Sequence, residues 1–106
     1  MTIRWSRDKF RFDVGEVVRH VQYGYRAVVL SMDAGCRASD AWYRGNRSQP
    51  RRDQPWYHVL DEDGDERYVA EENLEPDASG EELGTPLVQY VFPAFVNGRY
   101  YRQSMN

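Results

Sequence analysis

Four short runs rich in valine and tyrosine, glycine-bearing turns between them, and little helical character predict an all-β fold for this 106-residue chain. The expected architecture is a small SH3-like barrel or roll with a short helical turn and a C-terminal extension packed on it. One domain's worth of chain buries roughly two-thirds of its unfolded surface, so a single core is expected.

Residues 1–12 alternate charges with Trp5, Phe10 and Phe12 and carry no cap or turn signal, which makes them a partly ordered lead-in. The SH3-like unit is expected over residues 13–77. Its first strand is Val17-Val18-Arg19-His20-Val21, bounded by Gly15 and Gly24. Its second is Tyr25-Arg26-Ala27-Val28-Val29-Leu30-Ser31-Met32, joined to the first at Gln22-Tyr23-Gly24. Ala38 to Tyr43 can form a helical turn with Ser39 or Asp40 as N-cap. Arg44 to Arg52 contains no apolar side chain and reads as a basic loop.

Trp56 to Leu60 alternates like a half-buried strand. Asp61-Glu62-Asp63-Gly64-Asp65-Glu66 supplies the Asp-Gly dipeptide of a hairpin turn, and Arg67-Tyr68-Val69-Ala70 returns. Glu71 to Pro76 reads as a turn of helix closed by proline. Residues 78–106 are expected to be a polar linker and a segment packing on the domain, with Leu87 to Val96 as strand or as helix ending near Pro93. The core candidates are Val17, Val28, Leu30, Trp56, Val59 and Val69.

Charged residues make up 29% of the chain and aromatics 14%, with no window of roughly 18 apolar residues, so a soluble protein without a membrane span is expected. The first residues lack the apolar stretch of a secretory signal, and Cys36 is the sole cysteine, which excludes an intramolecular disulfide and cysteine-pair metal sites. A cytoplasmic location is the expectation. The net charge of −3 hides a division: residues 1–52 carry a balance of +6, residues 53–82 one of −11, and Arg99 and Arg102 add +2. A dipolar molecule follows, with guanidinium groups on one side and carboxylates on another, and a net negative sign does not exclude a nucleic-acid face.

No spacing builds a nucleophile with its base, so no catalytic residue is assigned and the chain is not read as an enzyme. His20 and His58 read as packed histidines rather than ligands. The Asp61 to Glu66 turn lacks the spacing of a twelve-residue calcium loop, and no metal and no cofactor is expected. Binding is the stronger case. Arg37, Arg44, Arg47, Arg51 and Arg52, with Trp42 and Tyr43 among them, have the composition of a DNA contact, because guanidinium groups take phosphates in a planar fork and aromatics stack or wedge. The acidic segment could instead dock a basic protein surface.

The block Gln54-Pro55-Trp56-Tyr57-His58-Val59-Leu60, followed by Tyr68-Val69-Ala70-Glu71-Glu72-Asn73-Leu74-Glu75-Pro76, resembles the YccV-like family, also called the hemimethylated-DNA-binding or heat-shock protein HspQ family. Phe12 to His20 and Gly24 to Val29 resemble its opening strands, and the matching blocks span about residues 10–77. The resemblance implies an SH3-like barrel marked by Pro55, Trp56, Tyr57, His58, Glu72, Asn73 and Leu74, with no catalytic residue. It implies binding of double-stranded, hemimethylated DNA. The alternative it offers is a stress-response adaptor of the HspQ kind that binds a client protein or modulates an ATP-dependent protease. The Arg44 to Arg52 insert and the Leu87 to Tyr101 tail look closer to a longer version found in an animal F-box protein, a setting that suggests protein recognition.

Overall fold

The computed structural model describes residues 9–103; residues 1–8, most of the expected lead-in, and 104–106 lie outside the described part. Five strands, β1 (Val17–His20), β2 (Arg26–Asp33), β3 (Trp56–Asp61), β4 (Glu66–Ala70) and β5 (Leu74–Pro76), form one antiparallel sheet in the order β4-β3-β2-β1-β5. Between β2 and β3 lies helix α1 (Asp40–Arg44). A 3-10 turn (Glu71–Asn73) joins β4 to β5.

That turn explains why the sheet is rolled. Four peptide steps from Ala70 to Leu74 reach at most about 14 Å. The edge strands of a flat five-stranded sheet would stand about 19 Å apart. Rolling brings residues of all five strands into one core cluster: Val18, Ala27, Val29, Tyr57, Val59, Val69 and Leu74, with Phe12 beside them. This is the SH3-like roll expected of an all-β chain. Residues 10–12 take part in this core, since Phe12 is buried and meets the Tyr57 ring edge-on at 5.5 Å.

The turns are set by local chemistry. Gly24 (φ 78°) closes the β1–β2 hairpin, and Gly64 (φ 87°) closes β3–β4, where Asp61 Oδ1 accepts from the N–H groups of Asp63 and Asp65 at 2.9 Å each. The pairing of β2 with β3 slips between Val29 and Ser31, so Leu30 is the extra residue of a β-bulge. Its side chain is only partly buried, a correction to its place among the core candidates, and its carbonyl accepts from Arg102 Nη2 at 2.6 Å. The other five candidates are buried.

β3 is a second correction. Except for His58 it is buried throughout rather than alternately, because both faces of the sheet are covered. On the outer face Val17, Val28 and Leu60 meet Leu83, Val88, Phe92 and Tyr100 of the C-terminal extension. That extension contains helix α2 (Val88–Val91), which stops before Pro93, then a hairpin of β6 (Ala94–Val96) and β7 (Arg99–Tyr101). Asn97 (φ 51°) and Gly98 (φ 81°) give its turn the two positive φ angles of a type I′ turn. The hairpin is fastened to the barrel where Tyr100 N–H donates to the Gly15 carbonyl at 2.9 Å. Gly15 has to be glycine: a Cβ there would lie 2.1 Å from the Tyr100 oxygen.

Candidate functional site

The rest of the outer face is aromatic. Cross-strand partners in an antiparallel pair share a face, so Trp56 and His58 of β3, Tyr68 of β4 and Asp33 at the end of β2 stand together there. Helix α1 closes over them. Ser39 caps it, accepting from Trp42 N–H at 3.2 Å, and the helix carries Trp42 and Tyr43 to the edge of Trp56 at ring separations of 6.2 and 6.3 Å. Tyr68 lies 5.7 Å from Trp42, 5.2 Å from Trp56 and 4.3 Å from His58.

Two concavities open on this cluster. The larger, about 610 Å³, runs from Trp42, Trp56 and Tyr68 to the β1–β2 hairpin residues His20, Tyr23 and Tyr25, with Arg67 in its lining and Arg47 on the loop beyond α1. The smaller, about 380 Å³, is lined by Asp33, Arg37, Ser39, Trp42, His58 and Tyr68. In the larger, His20 Nδ1 accepts the N–H groups of Gln22 (3.1 Å) and Tyr23 (3.0 Å), which leaves the proton on Nε2 as a donor. Burial, reinforced by the Arg67 charge, lowers the His20 pKa, and burial lifts the Tyr25 hydroxyl to about 12 against the opposing pull of Arg67. In the smaller, the Tyr68 hydroxyl donates to Asp33 Oδ2 at 2.7 Å and accepts from Arg37 N–H at 3.0 Å. Burial raises it to about 12, the Arg37 N–H opposing and the Asp33 carboxylate adding to the shift.

The basic segment divides into two groups. Arg52 is built into the fold: it donates to Asp40 Oδ1 (3.1 Å) and the Ala38 carbonyl (2.5 Å) and lies over the Tyr43 ring. Arg51 meets Asp53 at 3.2 Å, but both side chains are well exposed and the pair is worth little. Arg37, Arg44 and Arg47 are exposed and form no ion pair among the described residues. The loop holding them is ordered from within. Tyr43 Oη donates to the Pro50 carbonyl (2.7 Å), Gln49 Nε2 to that of Arg44 (3.2 Å), and Asn46 Nδ2 to that of Trp42 (3.2 Å).

The expected separation of charge holds only in part. Arg26 bridges Glu62 and Asp77, Arg67 bonds Asp61, and Arg99 bonds Asp13, so cations and carboxylates interleave across the barrel. Sequence neighbours of like charge are brought by the sheet beside strands of the opposite sign. Among the described residues Arg11, Arg19 and Arg102 are likewise exposed without an ion pair, Arg11 and Arg102 donating to the Leu74 and Leu30 carbonyls, so the three unpaired guanidinium groups near α1 stand out by their grouping.

The motif residues chiefly hold the fold. Pro55 carbonyl accepts Glu71 N–H at 2.9 Å, Trp56 is buried with its Nε1 on the Arg51 carbonyl (3.2 Å), and Leu74 is in the core. Tyr57 Oη donates to Glu71 Oε2 at 2.7 Å. Glu72 N–H donates to Gln54 Oε1 (3.0 Å) while Gln54 Nε2 bonds the Glu72 carboxylate, and the Asn73 carbonyl accepts Val21 N–H at 2.9 Å. Of the motif residues, His58 is the one that stands half-exposed in the aromatic cluster.

A family model described as "Hemimethylated DNA-binding protein YccV like" matches residues 10–99. The chain belongs to this YccV-like family. The match runs past residue 77 and takes in most of the C-terminal extension. The YccV-like chain is 37% identical over 101 residues to F-box only protein 21 of Mus musculus, covering 90% of this chain and 16% of that protein. It is 36% identical over 92 residues to F-box only protein 21 of Homo sapiens and of Pongo abelii. It therefore spans about one-sixth of the length of the curated relatives it matches.

Sequence reasoning missed Asp33, Tyr23, Tyr25, Arg67 and the placing of His20 in the cleft. Asp33 precedes Ala34-Gly35 and has only the signal of a strand end, since its neighbours Tyr68 and His58 are 35 and 25 residues away.

Proposed function

We propose that this chain is a non-enzymatic module that binds double-stranded DNA, with a preference for the hemimethylated form, through Arg37, Arg44 and Arg47, with Arg51 in reserve and Trp42 at the groove edge. The observation that carries the reading is the ordered segment around α1, on which Arg37, Arg44 and Arg47 are exposed and form no ion pair among the described residues, while Arg26, Arg52 and Arg67 are held by carboxylates. Order matters because a preformed loop loses less freedom on binding. The family's description names hemimethylated DNA.

Magnitudes divide the work between phosphate and methyl. Three phosphate contacts give a slope of log affinity on log salt of about −2.7, a loss of about forty-fold over a fourfold salt increase. Burying one methyl against Trp42 contributes about 0.8 kcal/mol, a preference of about fourfold. Affinity is thus mostly electrostatic and selectivity modest. Titration of unmethylated, hemimethylated and fully methylated duplexes at several salt concentrations tests this. Arg44→Ala with Arg47→Ala should flatten the slope by about 1.8. Equal weak binding to all three duplexes, unchanged in the double variant, would overturn the reading.

A second reading, a protein-binding adaptor, is favoured by the aromatic cleft, whose volume is that of a ligand site, and by relatives named F-box proteins. Capture of the same protease or client after nuclease treatment, lost on substitution of Tyr23, would favour it over DNA.

A further inference from the structure

The smaller concavity combines three features that fit a cation. Asp33 places a carboxylate at one side, and its contacts among the described residues, from Tyr68 Oη and His58 Nε2 (3.3 Å), fall on Oδ2, leaving Oδ1 as an acceptor. Tyr68 and Trp42 both line it with their rings inclined at 60° and 5.7 Å apart, forming a corner, and Trp42 is 41% exposed, so a ligand can reach it. Tyr68 is fixed between Asp33 and the Arg37 N–H, so the corner is set before anything binds. Ring faces attract cations through their quadrupole. Among cations the guanidinium is planar and weakly hydrated, stacks on rings and donates to a carboxylate. This chain uses that pairing repeatedly, with Arg52, Arg67 and Arg99 lying 4.8, 4.6 and 5.6 Å from the centres of tyrosine rings.

We propose that the niche of Asp33, Trp42, His58 and Tyr68 receives an arginine side chain from a partner protein, the guanidinium stacking in the Trp42–Tyr68 corner and donating to Asp33. This does not depend on the DNA reading, and Arg37 separates the two. Arg37 lines the same niche as a like charge, so Arg37→Ala should tighten arginine binding while weakening duplex binding.

The test uses the whole chain, isotope-labelled, titrated with a short Gly/Ser peptide carrying one central arginine and with the same peptide carrying citrulline, its uncharged isostere. The arginine peptide should move the Trp42 indole and Tyr68 ring resonances, and citrulline should bind about tenfold more weakly. Asp33→Asn keeps the shape and should lose about tenfold for arginine only. If Asp33→Asn loses its native dispersion, Trp42→Leu replaces it, and the arginine–citrulline comparison on the unaltered chain stands by itself. Equal binding of the two peptides, shifts confined to other surfaces, or no shift at all overturns the proposal. So does a single-stranded oligonucleotide that moves these resonances when the arginine peptide does not, since base stacking would then explain the corner.

Discussion

Arg67 Nε donates to the buried Asp61 carboxylate at 2.6 Å across the β3–β4 hairpin, so the one basic side chain of the acidic segment 53–82 is tied into the turn. Burial alone would raise the Asp61 pKa, but Arg67 and the N–H groups of Asp65 and Asp63 outweigh it and lower it below 3.8. A depressed carboxylate stabilises the fold above its unfolded pKa, and that stability drains away as pH falls through the folded value. Asp61→Asn should cost about 1.5–3 kcal/mol at pH 7. Urea unfolding across pH 7 to 2 should show the variant losing less than the parent below pH 3.8.

His20 gives a second, milder acid step. Its folded pKa lies below 6.5, so as pH falls through 6.5 the unfolded chain takes up the proton first and stability declines, levelling off below the folded value. Asn offers an oxygen near the position of Nδ1 for the Gln22 and Tyr23 N–H groups. His20→Asn should therefore flatten the stability curve between pH 7 and the onset of the carboxylate step, and an unchanged curve would refute the assignment.

Tyr57 links strand, turn and lead-in, since its hydroxyl accepts from Phe12 N–H at 3.3 Å while donating to Glu71, whose Oε2 also accepts Arg11 N–H at 3.0 Å. Tyr57→Phe keeps the ring but orphans a buried N–H. The expected loss is about 1–3 kcal/mol by denaturant titration.

The arginines around α1 should separate stability from binding. Arg52→Ala should loosen the loop, raising amide exchange at Cys36, whose N–H donates to the Arg52 carbonyl at 2.9 Å, and at Tyr43. Arg47→Ala should leave thermal stability within about 0.5 kcal/mol and reduce DNA affinity. A reversed pattern would mean that the guanidinium roles have been exchanged.

The all-β fold was legible because it rests on local signals: β-branched runs, Gly24 and Gly64 in their turns, Ser39 as a cap; the turn of helix expected over Glu71 to Pro76 instead ends at Asn73, because Leu74–Pro76 pairs with β1 as β5. What could not be read is non-local. The bulge at Leu30 arises from register between strands, and the outer face of β3 is covered at Trp56 by α1 and at Leu60 by a segment more than 20 residues downstream. The same holds for the site. The arginines and Trp42 lie within one stretch and can be named together from the sequence as candidates, whereas Asp33 and Tyr68 meet only because β2 and β4 flank β3. Charge by segment misled because pairing across strands mixes what the sequence keeps apart, as Arg26 with Glu62 and Asp77 demonstrates.

The clasp of Tyr100 on Gly15 decides how this unit can be moved between proteins. A fragment ending at Pro76 would keep every strand of the barrel yet bare Val17, Val28 and Leu60 to water. Forfeiting that cover costs about 1.5–3 kcal/mol for each side chain, together rivalling the entire folding free energy of a small domain. Such a truncated piece would clump, and a transplantable cassette has to run through Tyr101.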